Sequence, residues 1–132
     1  MTARILIVQC RMDHPEINAR TFRFACRTVE LYRALRRAGG AAWEIAPQFL
    51  DAGTSIGANL EEATGGQSKR DFIAKVCIAL KEGREARFWL RLIRVSGLLP
   101  SKAVAADLQE VNEIVAILIT IVRRAKDSLE NR

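Results

Sequence analysis

The sequence predicts an all-α fold of four amphipathic helices that assembles as a symmetric oligomer. Apolar residues recur at alternating spacings of three and four in four segments, and no segment has the two-residue period of a strand. Glycine pairs and prolines separate these segments. Residues 114–122 are apolar on every side, and a bundle of only four helices leaves one face of each helix in water. This segment therefore predicts burial between subunits.

Length and composition favour a single cytoplasmic domain. The chain has 132 residues, which suits one domain with one core. Its three cysteines are an odd number without C-x-x-C spacing, so neither a disulfide framework nor a zinc site is expected. No run approaches the about 20 apolar residues of a membrane helix, and the apolar run near the N-terminus is too short for a signal peptide. We expect a soluble, cytoplasmic protein without a membrane partner.

The predicted bundle domain covers residues 18–130, after an N-terminal extension of residues 1–17 that fits no helix pattern. Met12 is an alternative start of the native protein. The first helix is predicted from about residue 18 to residue 38, where Gly39 and Gly40 give a C-cap signal. It carries two adjacent apolar stripes, which together are wider than one partner helix requires. They are Phe22, Ala25, Val29 and Tyr32, and Phe24, Thr28, Leu31, Leu35 and Ala38.

The second helix is predicted over residues 43–63, with Pro47 in or near its first turn. Glycines inside it cost a helix about 1 kcal/mol each, so they need a packing reason. Gly53 and the nearby Gly57 give a bare surface that another helix can approach closely. The seam is Ala46, Phe49, Gly53, Ile56, Leu60 and Ala63, and beside it runs a polar stripe that can hydrogen-bond across a helix contact: Gln48, Ser55, Asn59 and Glu62.

The third helix is predicted from about Lys69 to residue 96, and Ser68 with Asp71 forms its capping box. A phosphate-binding loop at residues 66–69 is the less favoured alternative to this cap. The segment lacks the G-x-x-x-x-G-K-[ST] spacing of such loops, and no predicted strand precedes it. The seam of the third helix has a small middle, which predicts close packing against the second helix. Its residues are Phe72, Val76, Ala79, Gly83, Ala86, Leu90 and Ile93.

The fourth helix is predicted from an N-cap at Ser101 to about residue 129. Its seam continues through the segment that is apolar all round, in which Ile114, Ile117 and Ile121 are candidate interface residues. Because so apolar a helix has to be covered on all sides, these isoleucines predict an oligomer.

Catalytic and metal chemistry is not expected. His14 is the single histidine, so a nucleophile–histidine device would depend on it alone. A di-iron bundle needs Glu-x-x-His motifs on two helices, and the chain has none. Cys26 and Cys77 lie at helical positions among apolar neighbours, where cysteine acts as a small hydrophobe. We interpret Glu62 and Glu85 as partners of arginines near helix contacts, and expect no enzyme activity, cofactor or metal.

The basic residues leave two interpretations open. Lys and Arg outnumber Asp and Glu by 21 to 15, for a net charge of +6. The arginines are either a solvated face with ion pairs or, multiplied by a symmetric oligomer, a positive surface for phosphate backbones. We expect no aromatic residue among these stripes on the solvent side, so base stacking on single strands is not specifically indicated. The candidates for nucleic-acid binding are Arg20, Arg23, Arg27, Arg84, Arg87, Arg91 and Arg94.

The stretch GTSIGANLEEA and the following QSKRDFIAKVCIALKEGREARFWLRLI resemble the bacterial four-helix-bundle family associated with intervening sequences in 23S rRNA genes. The resemblance covers roughly residues 18–125 and implies an antiparallel, up-and-down bundle that forms a homopentamer. A related branch is the accessory protein of diversity-generating retroelements, a basic pentameric barrel that binds nucleic acid and a reverse transcriptase. The family's signature falls on Ser55, Ile56, Ala58, Asn59, Glu61, Glu62, Ser68, Asp71, Phe72, Ala79, Leu80, Glu82, Glu85, Trp89 and Leu90.

The resemblance implies that these signature residues serve packing and interfaces rather than catalysis. The chain departs from the pattern at Asp51, where members often carry a basic residue, and at Gly83, often alanine. The leading hypothesis is a non-enzymatic oligomer that binds RNA or DNA through basic surfaces, alone or with a reverse transcriptase or another protein partner. The alternative is a purely structural scaffold whose arginines are only solvated.

Overall fold

The computed structural model describes residues 15–65 and 68–131, and within them it is all-α with four helices and no strand. The helices are α1 (Pro15–Ala38), α2 (Gly40–Thr64), α3 (Lys69–Val95) and α4 (Ser101–Glu130). The number of helices and their approximate limits agree with the sequence prediction. α1 begins three residues before the predicted position, at Pro15, a residue that suits the first turn of a helix.

The turn between α1 and α2 is tighter than the sequence suggested. α2 begins at Gly40, so Gly39 is the one residue between the two helices. Gly39 and Gly40 have φ angles of 72° and 58° in the left-handed region, where a residue with a Cβ is strained. The glycine pair thus ends α1 and, in the same step, starts α2.

The early start of α2 places Pro47 in the helix interior rather than in its first turn, which corrects the prediction. Proline has no N–H, so the carbonyl of Trp43, four residues earlier, loses its helical donor. The guanidinium of Arg36 replaces that donor: Nη1 lies 3.2 Å from the Trp43 oxygen. The same guanidinium lies 3.4 Å from the centroid of the Trp43 ring and 5.5 Å from that of Tyr32. Arg36 therefore compensates for the proline.

We predict that Arg36→Ala lowers the free energy of unfolding by about 1 kcal/mol, the typical worth of one hydrogen bond or cation–π contact. The loss should be smaller in a Pro47→Ala background, because the N–H of an alanine there can bind the Trp43 carbonyl. A urea-unfolding cycle of the four proteins measures the coupling. Equal losses in both backgrounds would show that the arginine does not compensate for the proline.

The ends of α3 follow the sequence, whereas the start of α4 does not. The Ser68 hydroxyl accepts a hydrogen bond of 3.1 Å from the Asp71 N–H, which confirms the predicted cap. Gly97, with φ 67°, follows the end of α3 in the left-handed conformation typical of helix ends. Pro100 rather than Ser101 occupies the N-cap position of α4, and no side chain caps that helix.

The two apolar stripes of α1 have different surroundings. Phe24, Thr28, Leu31 and Leu35 are buried in the core, whereas Ala25, Val29 and Tyr32 of the second stripe are partly covered and Phe22 is 37% exposed. The largest fully buried side chains come from all four helices; they include Phe24, Leu35, Phe49, Ile56, Leu90, Ile93, Ile114 and Leu118. Part of the apolar surface of α1 thus lies outside the core.

The glycines of α2 permit a close helix contact, but the neighbour is α1 rather than the expected α3. A Cβ on Gly53 would lie 2.5 Å from Cγ2 and 2.9 Å from Cβ of Thr28. A Cβ on Gly57 would lie 3.3 Å from the backbone oxygen of Thr21. α2 does pack extensively on α3 as well, and Gly83 of α3 faces Val115 of α4.

Contact between α1 and α4 is much less extensive than between the other neighbouring helices. A groove of about 850 Å³ therefore lies between them, closed at one end by the start of α3. We call it the α1–α4 groove, and its lining is Glu16, Ile17, Arg20, Lys69, Phe72, Ala116, Ile117, Thr120, Ile121, Arg124 and Ala125. None of the described helices is both long enough and apolar enough to cross a bilayer.

Candidate nucleic-acid interface

Arg20 of α1 is bound by a carboxylate of α4. Its Nε and Nη2 donate to the two carboxylate oxygens of Glu110 at 3.0 and 2.6 Å, and Glu113 lies 3.8 Å away. The Arg20 side chain is 17% exposed. The hydrogen bond that Arg20 donates to Glu110 raises the pKa of Arg20 despite burial, so the guanidinium stays charged with its charge compensated. Such a paired arginine offers little to a phosphate.

Arg27 is bound in the same way, two helical turns further on. Nε and Nη2 donate to the oxygens of Asp107 at 3.2 and 3.0 Å, and Nη1 donates to Glu30 at 2.7 Å. The Asp107 side chain is only 5% exposed. The hydrogen bond to Asp107 is the largest influence and raises the pKa of Arg27. Two of the three candidate arginines of α1 therefore join that helix to α4, whereas Arg23 is exposed.

The four candidate arginines of α3 have different surroundings. Arg84, Arg91 and Arg94 are exposed, and Arg87 is partly buried. Within the described part of the chain, none of the four has a carboxylate within 4.0 Å or a side-chain hydrogen bond. Their spacing of three, four and three places them along one side of α3, over about 15 Å of helix length. Within the described residues, this row is an uncompensated positive feature of α3.

The glutamates do not pair with arginines as the sequence suggested. Glu62 forms its ion pair with Lys75 at 2.6 Å, and Glu85 is exposed with no cation within 4.0 Å in the described residues. Burial, with the nearby carboxylates of Glu85 and Asp51, raises the pKa of Glu82 even though Lys81 lowers it. Glu82, Glu85 and Asp51 thus form an acidic region at the outer side of α2 and α3.

Two members of the polar stripe of α2 are satisfied within their own helix, whereas Glu62 accepts a hydrogen bond from Lys75 of α3, across a helix contact. The Ser55 hydroxyl donates to the Asp51 carbonyl at 2.5 Å, and the Asn59 amide donates to the Ser55 carbonyl at 2.8 Å. The expected hydrogen bonds across a helix contact are therefore absent for these two described side chains. Ile56, beside them, is fully buried and meets the prediction of a packing residue.

Trp89 and Phe88 form an aromatic pair on α3. Their ring centroids lie 5.1 Å apart in an edge-to-face arrangement. The Trp89 indole N–H is buried without an acceptor in the described residues, and Phe88 is 53% exposed. Two other large apolar side chains of α3, Ile78 and Val95, are also exposed. This helix thus presents apolar surface outward as well as toward the core. Phe88 is an exposed aromatic side chain among the candidate arginines of α3, which corrects the prediction that none lies there on the solvent side.

The apolar segment of α4 is covered on only part of its circumference. Ile114 is fully buried, whereas Ile117 and Ile121 are partly buried and line the α1–α4 groove. Ala116 and Thr120 in the same segment are exposed. The described chain therefore does not by itself cover residues 114–122.

The remaining candidates carry no visible chemistry. His14 and Cys10 lie outside the described residues, as does part of the loop at residues 66–69. Both cysteines predicted as small hydrophobes lie on helices; Cys26 is exposed and Cys77 is partly covered. Among the described side chains, no group of three His, Cys, Asp or Glu residues is placed to hold a metal ion.

The sequence and the four-helix fold of this chain can be compared with known families and solved structures. Residues 14–120 match the family described as 23S rRNA-intervening sequence protein. The chain belongs to this family. The chain is also similar to a solved structure from Bacteroides thetaiotaomicron VPI-5482, a protein of unknown function from the S23 ribosomal protein family, determined at 1.70 Å. It is 35% identical, covers 80% of this chain and 97% of its own, and superposes with a TM-score of 0.74. No curated protein matches the chain.

Proposed function

We propose that this intervening-sequence protein is a non-enzymatic, cytoplasmic oligomer that binds RNA through the arginine row of α3. The observation that carries the proposal is the difference between the two sets of arginines. Arg20 and Arg27 are held by carboxylates of α4, whereas Arg84, Arg87, Arg91 and Arg94 have none within 4.0 Å in the described chain. Unpaired guanidinium groups are suited to bidentate contacts with phosphate.

The assembly belongs to the same proposal. We propose an antiparallel, up-and-down bundle, because Gly53 meets Thr28 while Gly57, further along α2, meets Thr21, earlier in α1. Self-association is supported by the half-covered isoleucines of α4 and the exposed apolar side chains of α3. Five copies is the number that the family resemblance implies. A ring of copies would repeat the arginine row around its surface and so increase its attraction for a phosphate backbone.

A salt-dependent titration tests RNA binding. Anisotropy of a labelled, structured RNA should show binding at low salt that weakens steeply as salt rises. Arg84→Gln/Arg91→Gln should weaken low-salt binding about tenfold or more. The slope of log K against log salt should also fall, by about 0.7–0.9 for each phosphate that the variant no longer binds.

The matched control is Arg33→Gln/Arg37→Gln, which removes the same two charges from positions of α1 outside the proposed site. If both double variants weaken binding equally, only net charge matters and the α3 row is not the site. Absence of RNA binding by the wild type at low salt would contradict the proposal and favour the alternative of a scaffold with solvated arginines. Running single- and double-stranded DNA beside the RNA tests whether RNA is preferred.

A further inference from the structure

The arginine row of α3 has an aromatic side chain inside it, Phe88. Arg84 lies four residues before Phe88 and Arg91 three residues after it, so each is one helical turn away. Phe88 is 53% exposed, and both arginines are exposed as well. An open aromatic surface is therefore flanked along the helix by two guanidinium groups, neither of which has a carboxylate within 4.0 Å in the described residues.

The positive charge continues along α3 in both directions from Phe88. Lys81 is exposed seven residues, or two turns, before Phe88, and Arg94 is exposed six residues after it. At about 1.5 Å of rise per residue, the cations from Lys81 to Arg94 extend over about 20 Å of helix. Phe88 lies near the middle of this length, so phosphates bound along the row pass beside its ring.

Trp89 supports the Phe88 ring. The two ring centroids lie 5.1 Å apart with an interplanar angle of 75°, which is an edge-to-face contact. Trp89 is itself packed against the hydrophobic core, so the ring that contacts Phe88 is fixed. An edge-to-face contact covers at most one face of the phenylalanine ring. The Phe88 ring is thus held in place while still accessible, which reduces the entropy lost when a planar group stacks on it.

An acidic region borders Phe88 on one side only. Glu85 lies three residues before Phe88, and together with Asp51 its charge raises the pKa of Glu82. At 3.6 residues per turn, Arg84 and Arg91 lie on one side of Phe88 and Glu85 lies on the other. The carboxylates repel phosphates from their own side and so favour a path over the arginines.

We infer that this site binds unpaired RNA, with a base stacked on Phe88 and the adjoining phosphates bound by Arg84 and Arg91. Stacking on a side chain needs an open base, whereas the bases of a duplex are stacked on one another. Every base has a π-face, so the contact selects unpaired nucleotides without selecting a sequence. The inference rests on the RNA binding of the proposed function and names the class of RNA, which is single strands, loops or bulges.

Phe22 and Trp43 are also exposed aromatic side chains, and each lacks one of these features. The Arg36 guanidinium lies 3.4 Å from the centroid of the Trp43 ring and occupies one of its faces. Phe22 is 37% exposed, but none of the residues three or four positions away from it is basic. Phe88 combines an open ring with adjacent cations, and Phe22 provides its control.

Phe88→Leu tests the stacking contact, because leucine is apolar and a good helix former but has no ring. Anisotropy with a labelled, unstructured single-stranded RNA should show binding weakened about tenfold, as expected when one base loses its aromatic partner. The slope of log K against log salt should stay unchanged, since no charge is removed. Phe88→Tyr keeps a ring and should bind as the wild type does. Phe22→Leu, the same change on α1, should have no effect.

Two further probes separate the base from the phosphates. An RNA duplex of the same length and inorganic polyphosphate both offer phosphates without an open base. Phe88→Leu should bind these two probes as tightly as the wild type does, whereas Arg84→Gln/Arg91→Gln should bind all three probes more weakly. If Phe88→Leu weakened binding of the single strand and the duplex equally, Phe88 would not act through a base, and the inference would be wrong.

The outcomes distinguish the inference from the proposal on which it rests. A wild type that binds no RNA at low salt contradicts both. RNA binding that depends on Arg84 and Arg91 but is unchanged by Phe88→Leu contradicts the inference alone, and the protein then contacts only phosphates. Light scattering and circular dichroism accompany each variant. A change of oligomer mass in folded Phe88→Leu would assign Phe88 to a contact between copies, which also contradicts the inference.

Discussion

Gly53→Ala is expected to destabilise the subunit by about 2 kcal/mol, even though alanine is the better helix former by about 1 kcal/mol. The new Cβ would lie 2.5 Å from Cγ2 and 2.9 Å from Cβ of Thr28. Thr28 cannot easily yield, since it is 1% exposed and its hydroxyl donates to the Phe24 carbonyl at 2.9 Å. Relief of the clash therefore requires α1 and α2 to move apart, which loosens the core. Gly53→Val should cost more.

The partner residue provides the compensating variant. Thr28→Ala alone should cost about 1 kcal/mol for a buried methyl and a local hydrogen bond. It removes the Thr28 atoms Oγ1 and Cγ2 but keeps Cβ, which would still lie 2.9 Å from a Cβ at position 53, so it relieves the clash only in part. Gly53→Ala should therefore cost less in the Thr28→Ala background than in the wild type, although the remaining contact between the two Cβ atoms keeps the double variant somewhat less stable than Thr28→Ala. Urea unfolding at a fixed subunit concentration measures all four proteins, because association makes the apparent stability depend on concentration.

Gly83→Ala is the matched control, since it is also a glycine in the middle of a helix. Its Cβ would meet Cγ2 of the Val115 side chain at 3.2 Å, and a small side-chain adjustment relieves that contact. The gain in helix propensity should offset the strain, so we expect a change within about 1 kcal/mol. If Gly53→Ala and Gly83→Ala had the same effect, close approach of α1 would not be the reason for Gly53.

The sequence is sufficient to predict the helices and the packing of α3 on α2, which is the most extensive helix contact, but not the helix that meets the glycines of α2. Apolar periodicity identifies which side of α2 is buried, and it correctly places Gly53 and Ile56 there. Periodicity does not say which neighbour a buried residue meets, because each helix of a bundle has more than one neighbour. The small residues of α3 therefore predict that α3 meets the bare surface of α2, whereas Thr28 and Thr21 of α1 approach it.

The sequence likewise does not reveal which arginines are paired with carboxylates of another helix. Arg20 and Glu110 are 90 residues apart, and no local rule pairs them. A signal does exist on α4, where Asp107, Glu110 and Glu113 recur every three residues as an acidic row facing the row of Arg20 and Arg27. Two complementary rows indicate a helix contact only once the helices are known to be neighbours. For Arg84–Arg94 no such acidic row contacts them in the described chain.

The start of α2 differs from the prediction because the glycine pair and Pro47 were each given one local meaning. Taken alone, Gly39 and Gly40 predict the end of α1, and Pro47 predicts the first turn of α2. In the structure the glycine pair also begins α2, and Arg36 supplies the donor that the proline lacks. A side chain from a neighbouring helix overrides the local preference of proline in this way, and propensities do not reveal it.

Arg27→Met should have the second large effect on stability, about 2–3 kcal/mol. Asp107 is 5% exposed and has its two oxygens bound by Arg27 Nε and Nη2, so the substitution leaves a buried carboxylate without its cation. The expected loss is below that of a fully buried pair, since Arg27 itself is 47% exposed and water can enter where it lay. Urea unfolding measures the loss, and RNA affinity should stay close to that of the wild type.

Removing the carboxylate instead of the arginine should reduce the free energy of unfolding much less. Asp107→Leu leaves Arg27 near the surface, where water and Glu30 at 2.7 Å still satisfy it. The double variant Arg27→Met/Asp107→Leu replaces the pair by apolar side chains and should recover most of the stability that Arg27→Met loses. A double-mutant cycle should therefore show that losing Arg27 costs more than losing Asp107. The cost arises from the buried carboxylate left without a cation rather than from the lost attraction between the two charges.

Arg20→Met is the internal comparison for this argument. It removes an arginine of the same helix that is bound in the same bidentate manner, but its partner Glu110 is 32% exposed and remains hydrated when the cation is gone. The cost should therefore be clearly smaller than that of Arg27→Met. Equal costs for the two substitutions would mean that burial of the carboxylate does not decide the penalty. A loss of RNA affinity in folded Arg27→Met comparable to that of Arg84→Gln/Arg91→Gln would return α1 to the binding surface.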